Sequence, residues 1–158
     1  MTPFRIYADT SVIGGVHDPE FADDSRRFVK GVRAGRFILL VSEIVVAELR
    51  DAPKSVRRIL PSLPATSVEP VEVSEEVLTL RDAYLDASIV GEQWSDDAAH
   101  VAAATMARAD AIVSWNFTHI VRLDKMKAYN RVNEREGYDS LTIISPTELP
   151  ADDDNDSF

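Results

Sequence analysis

Five short apolar runs, separated by stretches of helical or turn character, restrict the fold of this chain more than any other feature. Residues 4–8 (FRIYA), 37–42 (FILLVS), 67–73, 111–114 (AIVS) and 141–145 (LTIIS) are rich in side chains that favour strands. FILLVS is continuously apolar rather than alternating, the pattern of a strand buried on both faces. The 67–73 run contains Pro70, which has no N–H to donate and suits an edge strand. Strands alternating with helices imply an α/β fold: a three-layer α/β/α sandwich around a mainly parallel sheet of about five strands. Sheets of this kind place their sites at the carboxyl ends of strands, where the strand order reverses.

The helices between the runs carry their own signals. Asp23, Asp24 or Ser25 can cap a helix bearing Phe28, Val29 and Val32, with Gly35 closing it. Ser42 caps a helix over 43–50 that Pro53 stops, and a short helix carrying Val56, Ile59 and Leu60 follows. Ser74 caps a helix whose Val77, Leu80, Tyr84 and Leu85 share one face. Ser95 caps another, in which Ala98, Ala99, Ala102, Ala103 and Ala104 permit close packing on a sheet. Residues 119–136 have helical character and end at Gly137.

At 158 residues the chain has the length of one ordinary domain. Residues 1–149 are read as that domain and 150–158 as an acidic, disordered tail holding Asp152, Asp153, Asp154 and Asp156. With no cysteine, a disulfide scaffold, a thiol nucleophile and a cysteine zinc site are excluded, and a reducing cytoplasm is the expected location. No signal peptide is read at the N-terminus, and the longest apolar stretch falls far short of a membrane span. The net charge of −10 argues against a general nucleic-acid binder, because phosphate contacts need local Lys and Arg. Basic groups do cluster, at Arg26, Arg27, Lys30, Arg33 and Arg36, and at Arg122, Lys125, Lys127, Arg131 and Arg135. They are read as charged faces of surface helices, with a nucleic-acid-binding rim as the alternative.

Four polar residues fall where such a fold gathers a site. Asp9 directly follows the first strand, and Asn116 follows the fourth after Ser114 and Trp115. Glu48 lies one to two turns into the helix leaving the second strand, and Asp97 lies in the first turn of the Ser95 helix. Three carboxylates crowded together repel one another unless a cation neutralises them, and hard cations such as Mg²⁺ or Mn²⁺ prefer oxygen ligands. A cation also lets an acidic cleft accept a polyanion and can activate water against a phosphate ester. Each residue has a plainer alternative. Asp9 can serve as a turn or cap residue, and Glu48 can pair with Arg50 or Lys54. Asp97, beside Asp96, can be helix-start charge, and Asn116 can shape a turn. Trp115, Phe117 and His119 are read as packing and local hydrogen-bonding residues, with base stacking as the alternative. His17 and His100 show no zinc-site pattern.

Asp9-Thr10-Ser11-Val12, the segment from Ser42 to Leu49 (SEIVVAEL) and the segment from Asp97 to Ala104 (DAAHVAAA) together resemble the PIN-domain family. The segment IVSWNFTHI, from Ile112, resembles its fourth motif in a Ser-Trp-Asn variant, and IISPTEL, from Ile143, resembles its closing strand and turn. The likeness spans about residues 4 to 149, and its strength lies in the ordered set. It implies a metal-dependent ribonuclease, often the toxin of a bacterial or archaeal VapBC-type toxin–antitoxin pair. The expected partners are an RNA substrate, a small antitoxin protein and a second copy of the chain. By this resemblance Asp9, Glu48 and Asp97 are the catalytic metal ligands for Mg²⁺ (or Mn²⁺), with Thr10 and Ser114 as supporting hydroxyls. Asp97 is chosen over Asp96 because the alanine-rich stretch begins immediately after it. Asn116, counted with the catalytic set, departs from the aspartate that many members carry, so it brings an amide oxygen without charge.

Two other functions fit the same residues. One is a non-catalytic PIN-like module that binds a protein partner, which the uncharged Asn116 suggests. The other is a different Mg²⁺-dependent phosphoryl-transfer enzyme with Asp9 as phosphoacceptor, although no second aspartate follows two residues later.

Overall fold

The computed structural model describes residues 2–150, so the expected acidic tail, apart from Pro150, lies outside the described residues. The chain runs β1 (Phe4–Ala8), α1 (Thr10–Gly14), α2 (Ala22–Arg33), β2 (Phe37–Ser42), α3 (Glu43–Leu49), α4 (Lys54–Arg57), α5 (Ile59–Ser62) and β3 (Val68–Val71). It continues through α6 (Glu75–Asp86), α7 (Ser95–Met106), β4 (Ala111–Val113), α8 (Leu123–Arg135) and β5 (Ile143–Ile144). The strands form one sheet in the order β3-β2-β1-β4-β5, and every pairing is parallel.

Register and side-chain alternation assign the two faces. Phe4 pairs with Phe37 and Tyr7 with Leu40, so Phe37 and Tyr7 point to opposite sides of the sheet. Phe37 meets Phe28 of α2 at a ring separation of 5.7 Å, which puts α2 on one face. Tyr7 meets His100 of α7 on the other. Helices therefore cover both faces, which is why the middles of the central strands are apolar: Ile6, Tyr7, Ala8, Leu39, Leu40, Ile112 and Val113 are all buried. On the α7 side, Ala98, Ala102, Ala103 and Ala104 are buried, and their small side chains let the helix lie close to the sheet. A further layer is built by α6 and α8, where Tyr84 and Tyr129 meet edge-on and Tyr84 Oη donates to Asn133 Oδ1 at 2.5 Å.

Several element ends differ from the sequence expectation. The helix bearing Phe28 starts at Ala22, so Asp23 and Asp24 sit inside its first turn rather than capping it. There their charges face the positive end of the helix dipole. Ser95 is likewise the first residue of α7 rather than its cap, because a 3-10 turn over Glu92–Trp94 runs directly into the helix. The 119–136 stretch becomes helical only at Leu123. The short helix after Pro53 is split into α4 and α5, and the 67–73 run is a strand only over Val68–Val71. Ser42 and Ser74 do cap, accepting from the N–H groups of Val45 and Val77. Gly35 and Gly137 close α2 and α8 at φ of 80° and 85°, values costly for any residue with a Cβ. Pro70 sits in edge strand β3.

From β1 the chain moves outward to β3, then returns across the sheet to β4 on the other side of β1. The reversal opens a crevice at the carboxyl ends of β1 and β4. Asp9 and Ser114 are the residues directly following those two strands.

Candidate functional site

Asp9 still belongs to the sheet through its backbone, since its N–H bonds the carbonyl of Val113 at 3.3 Å. It occupies the N-cap position of α1, yet its side chain makes no capping bond. Its two carboxylate oxygens accept hydroxyls instead, Oδ1 from Ser11 at 2.5 Å and Oδ2 from Ser114 at 2.6 Å. Only 5% exposed, Asp9 has its pKa pushed above the ordinary carboxylate value by burial. The charge of His100 and the two hydroxyls oppose that rise, and the nearby charge of Asp97 adds to it.

Glu48, near the end of α3, pairs with neither Arg50 nor Lys54 in the described residues. Its Oε1 accepts from Thr10 Oγ1 at 3.0 Å and bonds His100 Nε2 at 2.6 Å. Partial burial pushes its pKa up, but the hydrogen bond and charge of His100, with the Thr10 bond, bring it below the ordinary value.

His100 joins these groups. It lies one turn after Asp97 on α7, is 2% exposed, and bonds Tyr7 Oη through Nδ1 at 2.6 Å. Tyr7 Oη in turn bonds Ser42 Oγ at 2.7 Å. Because a carboxylate can only accept, Nε2 carries the proton toward Glu48. In the neutral ring, Nδ1 then accepts from Tyr7, and Tyr7 accepts from Ser42. Burial opposes protonation of the ring, but the Glu48 bond and the charges of Asp9, Glu48 and Asp97 outweigh it and raise the pKa. All three carboxylates thus act on one imidazole.

Asp97 lies in the first turn of α7, with Oδ2 held by His119 Nδ1 at 2.9 Å. Asn116 reaches the same sheet edge, but its Oδ1 accepts the backbone N–H groups of Thr118 at 3.2 Å and His119 at 2.8 Å. Both lone pairs of that oxygen are committed to the loop. Asn116 therefore acts on the site by setting His119, and through it Asp97. Ser114 does more than support Asp9, because its Oγ also accepts the N–H of Asn116 at 2.9 Å.

Among the described residues no three Asp, Glu or His side chains close around a point that could hold one metal ion. The donor set still fits a hard cation in kind. Glu48 Oε2 and Asp97 Oδ1 accept no hydrogen bond within the described residues, and carboxylate oxygens are the donors that such an ion prefers. The residues fit the ion in chemistry without forming a finished cage.

No family model matches the chain, and no curated protein matches it. Solved structures do. The crystal structure of FitAcB from Neisseria gonorrhoeae is 16% identical, covers 91% of this chain and 99% of its own, and superposes with a TM-score of 0.56. The structure of FitAB bound to an IR36 DNA fragment is 17% identical, covers 92% and 97%, and has a TM-score of 0.57. The fold is PIN-like. At these identities the likeness concerns architecture alone.

Within this PIN-like sheet, the sequence pattern brought Asp9, Glu48, Asp97, Asn116, Thr10 and Ser114 to one edge but missed their links. Ser11, Tyr7, Ser42, His100 and His119 make those links. A signal existed for His100: it stands three residues after Asp97, on the same side of a helix. Trp115 packs as expected, stacked on Phe21 at 4.3 Å with Nε1 donating to Ser25 Oγ at 2.8 Å. Phe117 does not pack away; it is 49% exposed. No helix among the described residues is long and apolar enough to cross a membrane.

Proposed function

We propose that this chain is a divalent-metal-dependent endoribonuclease that hydrolyses RNA phosphodiester bonds as the toxin of a toxin–antitoxin pair. The observation that carries this proposal is that hydrogen bonds from Ser11, Ser114, Thr10, His100 and His119 hold Asp9, Glu48 and Asp97 at the sheet edge where the strand order reverses. The ordered motifs that resemble the PIN-domain family and the PIN-like fold both support it. A small antitoxin protein as partner, a homodimer and a cytoplasmic location belong to the same proposal.

Asp9, Glu48 and Asp97 would hold Mg²⁺, with Mn²⁺ as a substitute. A bound ion of this kind supplies Lewis-acid chemistry, acidifying water and neutralising charge at a scissile phosphate. The chain's own residues do the positioning. Ser11 and Ser114 fix both oxygens of Asp9, Thr10 and His100 fix one oxygen of Glu48, and His119 fixes one oxygen of Asp97. In each of the latter two carboxylates the other oxygen remains for a ligand. Charge on His100 offsets part of the repulsion among the three acids when no cation is present.

Incubating the full chain with single-stranded RNA and Mn²⁺ should give cleavage that EDTA abolishes and Asp97→Asn reduces by at least about 100-fold. Undiminished cleavage in EDTA, or by Asp97→Asn, would refute the assignment. Two features favour a second function, a non-catalytic module that binds a protein partner: among the described residues no three acidic or imidazole groups close on one ion, and the Asn116 oxygen is committed to its loop. Asp9 as a phosphoacceptor gains no support, since no second aspartate follows it two residues later.

A further inference from the structure

Two large aromatic rings stand exposed beside the acidic site, and each rests on a second ring. Trp94 is 45% exposed and Phe117 49%. Trp94 lies against His119, with ring centroids 4.5 Å apart and planes 33° from parallel. His119 is the residue whose Nδ1 holds Asp97. Phe117 borders Trp115 at 6.2 Å and Phe21 at 6.5 Å. Trp115 is itself tied toward Asp9, because its N–H donates to Ser11 Oγ at 3.0 Å and Ser11 donates to Asp9. That base is closely packed: a Cβ added at Gly15 would lie 2.9 Å from Trp115 Nε1. Both exposed rings therefore border the loop that begins at Asn116, and each is one ring removed from the groups that position a site carboxylate.

We propose that Trp94 and Phe117 are stacking platforms for unpaired bases of single-stranded RNA, flanking the scissile phosphodiester. The choice of RNA rests on the nuclease function proposed above. A ring flanked by other rings and open to solvent offers its exposed side to a planar partner, and every base has a π-face to place on it. A base within a duplex has both faces covered by its neighbours, so the platforms select single strands. Charge works against a polyanion. With 27 acidic residues against 17 basic ones, the chain is short of phosphate contacts, and uncharged stacking is the contribution that offsets this. A base stacked on Trp94 also brings its sugar–phosphate backbone toward Asp97, so binding and chemistry share one loop. A protein partner on these rings would instead cover the acidic site without using its chemistry.

The test measures binding with Mn²⁺ withheld, so that it does not depend on cleavage. A fluorescently labelled single-stranded RNA dodecamer is titrated with the full chain, alongside the same sequence as duplex RNA and as single-stranded DNA. Trp94→Ala and Phe117→Ala should each weaken single-strand binding about tenfold. Trp94→Phe, which keeps a ring, should stay close to wild type. The duplex should bind more weakly than the single strand and be indifferent to both alanine substitutions. Single-stranded DNA should follow the RNA, since stacking does not read the sugar. Wild-type affinity in both alanine variants would assign the rings to a protein partner and overturn the proposal, as would equal affinity for duplex and single strand, or no RNA binding at all. Ring-dependent binding without cleavage on adding Mn²⁺ would sustain the platforms and reject the nuclease. Cleavage with ring-independent binding would do the reverse.

Discussion

Asp9→Asn is expected to lower Mn²⁺-dependent RNA cleavage by at least about 100-fold while the metal-free protein melts higher than wild type near neutral pH. Both outcomes follow from one environment. Burial pushes the Asp9 pKa up, with Asp97 adding to the effect, so the folded chain holds this proton more tightly than the unfolded chain does. Above the folded pKa, charged Asp9 therefore costs stability; as the pH falls through that value, the cost disappears. Asparagine carries no charge at any pH and keeps the shape, with its amide oxygen retaining one of the two serine hydroxyls. Scanning calorimetry should show the variant's advantage at about pH 7 shrinking toward about pH 4, and added Mn²⁺ should raise the melting temperature of wild type alone. A carboxylate with a purely structural role behaves otherwise, losing stability on substitution and leaving cleavage intact.

His100→Leu should have the second largest effect, weakening Mn²⁺ binding by about 10–100-fold although His100 is not placed among the ligands. Its imidazole supplies one of the two hydrogen bonds to Glu48 Oε1 and accepts or donates at Tyr7 Oη inside the core. Leucine fills much of the volume and makes neither bond, at a cost of about 1–3 kcal/mol in stability. The pH dependence identifies the lost pair. His100 has a raised pKa, so its contribution is full below the ordinary value of 6.5 and fades as pH rises through the folded value. Glu48 has a lowered pKa, so its contribution is full above the ordinary value of 4.5 and fades as pH falls through the folded value. The metal-free stability difference between wild type and His100→Leu should therefore be widest between those two ordinary values. Denaturant titrations across that range would show it, and a pH-independent difference would mean that the pair contributes nothing.

These two residues also mark the limit of what the chain discloses by itself. Asp9 is legible because strand β1 ends in a buried apolar run, Ile6 to Ala8, that stops at a charged residue, and the alternation of elements sends every strand end to one edge. The limits of β1 and β2 follow the sequence because both strands carry buried apolar cores, Ile6 to Ala8 and Leu39 with Leu40, that set them apart from the flanking turns. Edge strands β3 and β5 are paired on one side only and are shorter than their apolar runs. His100 is hidden among alanines on a buried helix face, and its partners Glu48 and Tyr7 stand 52 and 93 positions away. Only tertiary packing reveals why a histidine is there. Asn116 shows a different limit. Its position at the sheet edge follows from β4, but the use of its oxygen depends on the path of the loop through Thr118 and His119. The late start of α8 has the same origin, because that loop occupies the residues where helical character begins.

Whether the convergent carboxylates bind a cation is the question on which the proposed function turns. Calorimetric titration of the full chain with Mn²⁺ answers it most directly, using wild type beside Asp9→Asn, Glu48→Gln and Asp97→Asn. Saturable binding by wild type that all three substitutions weaken is the expected result. No binding by wild type, or the same binding in all four proteins, would contradict the metal-dependent nuclease and leave the partner-binding module in its place.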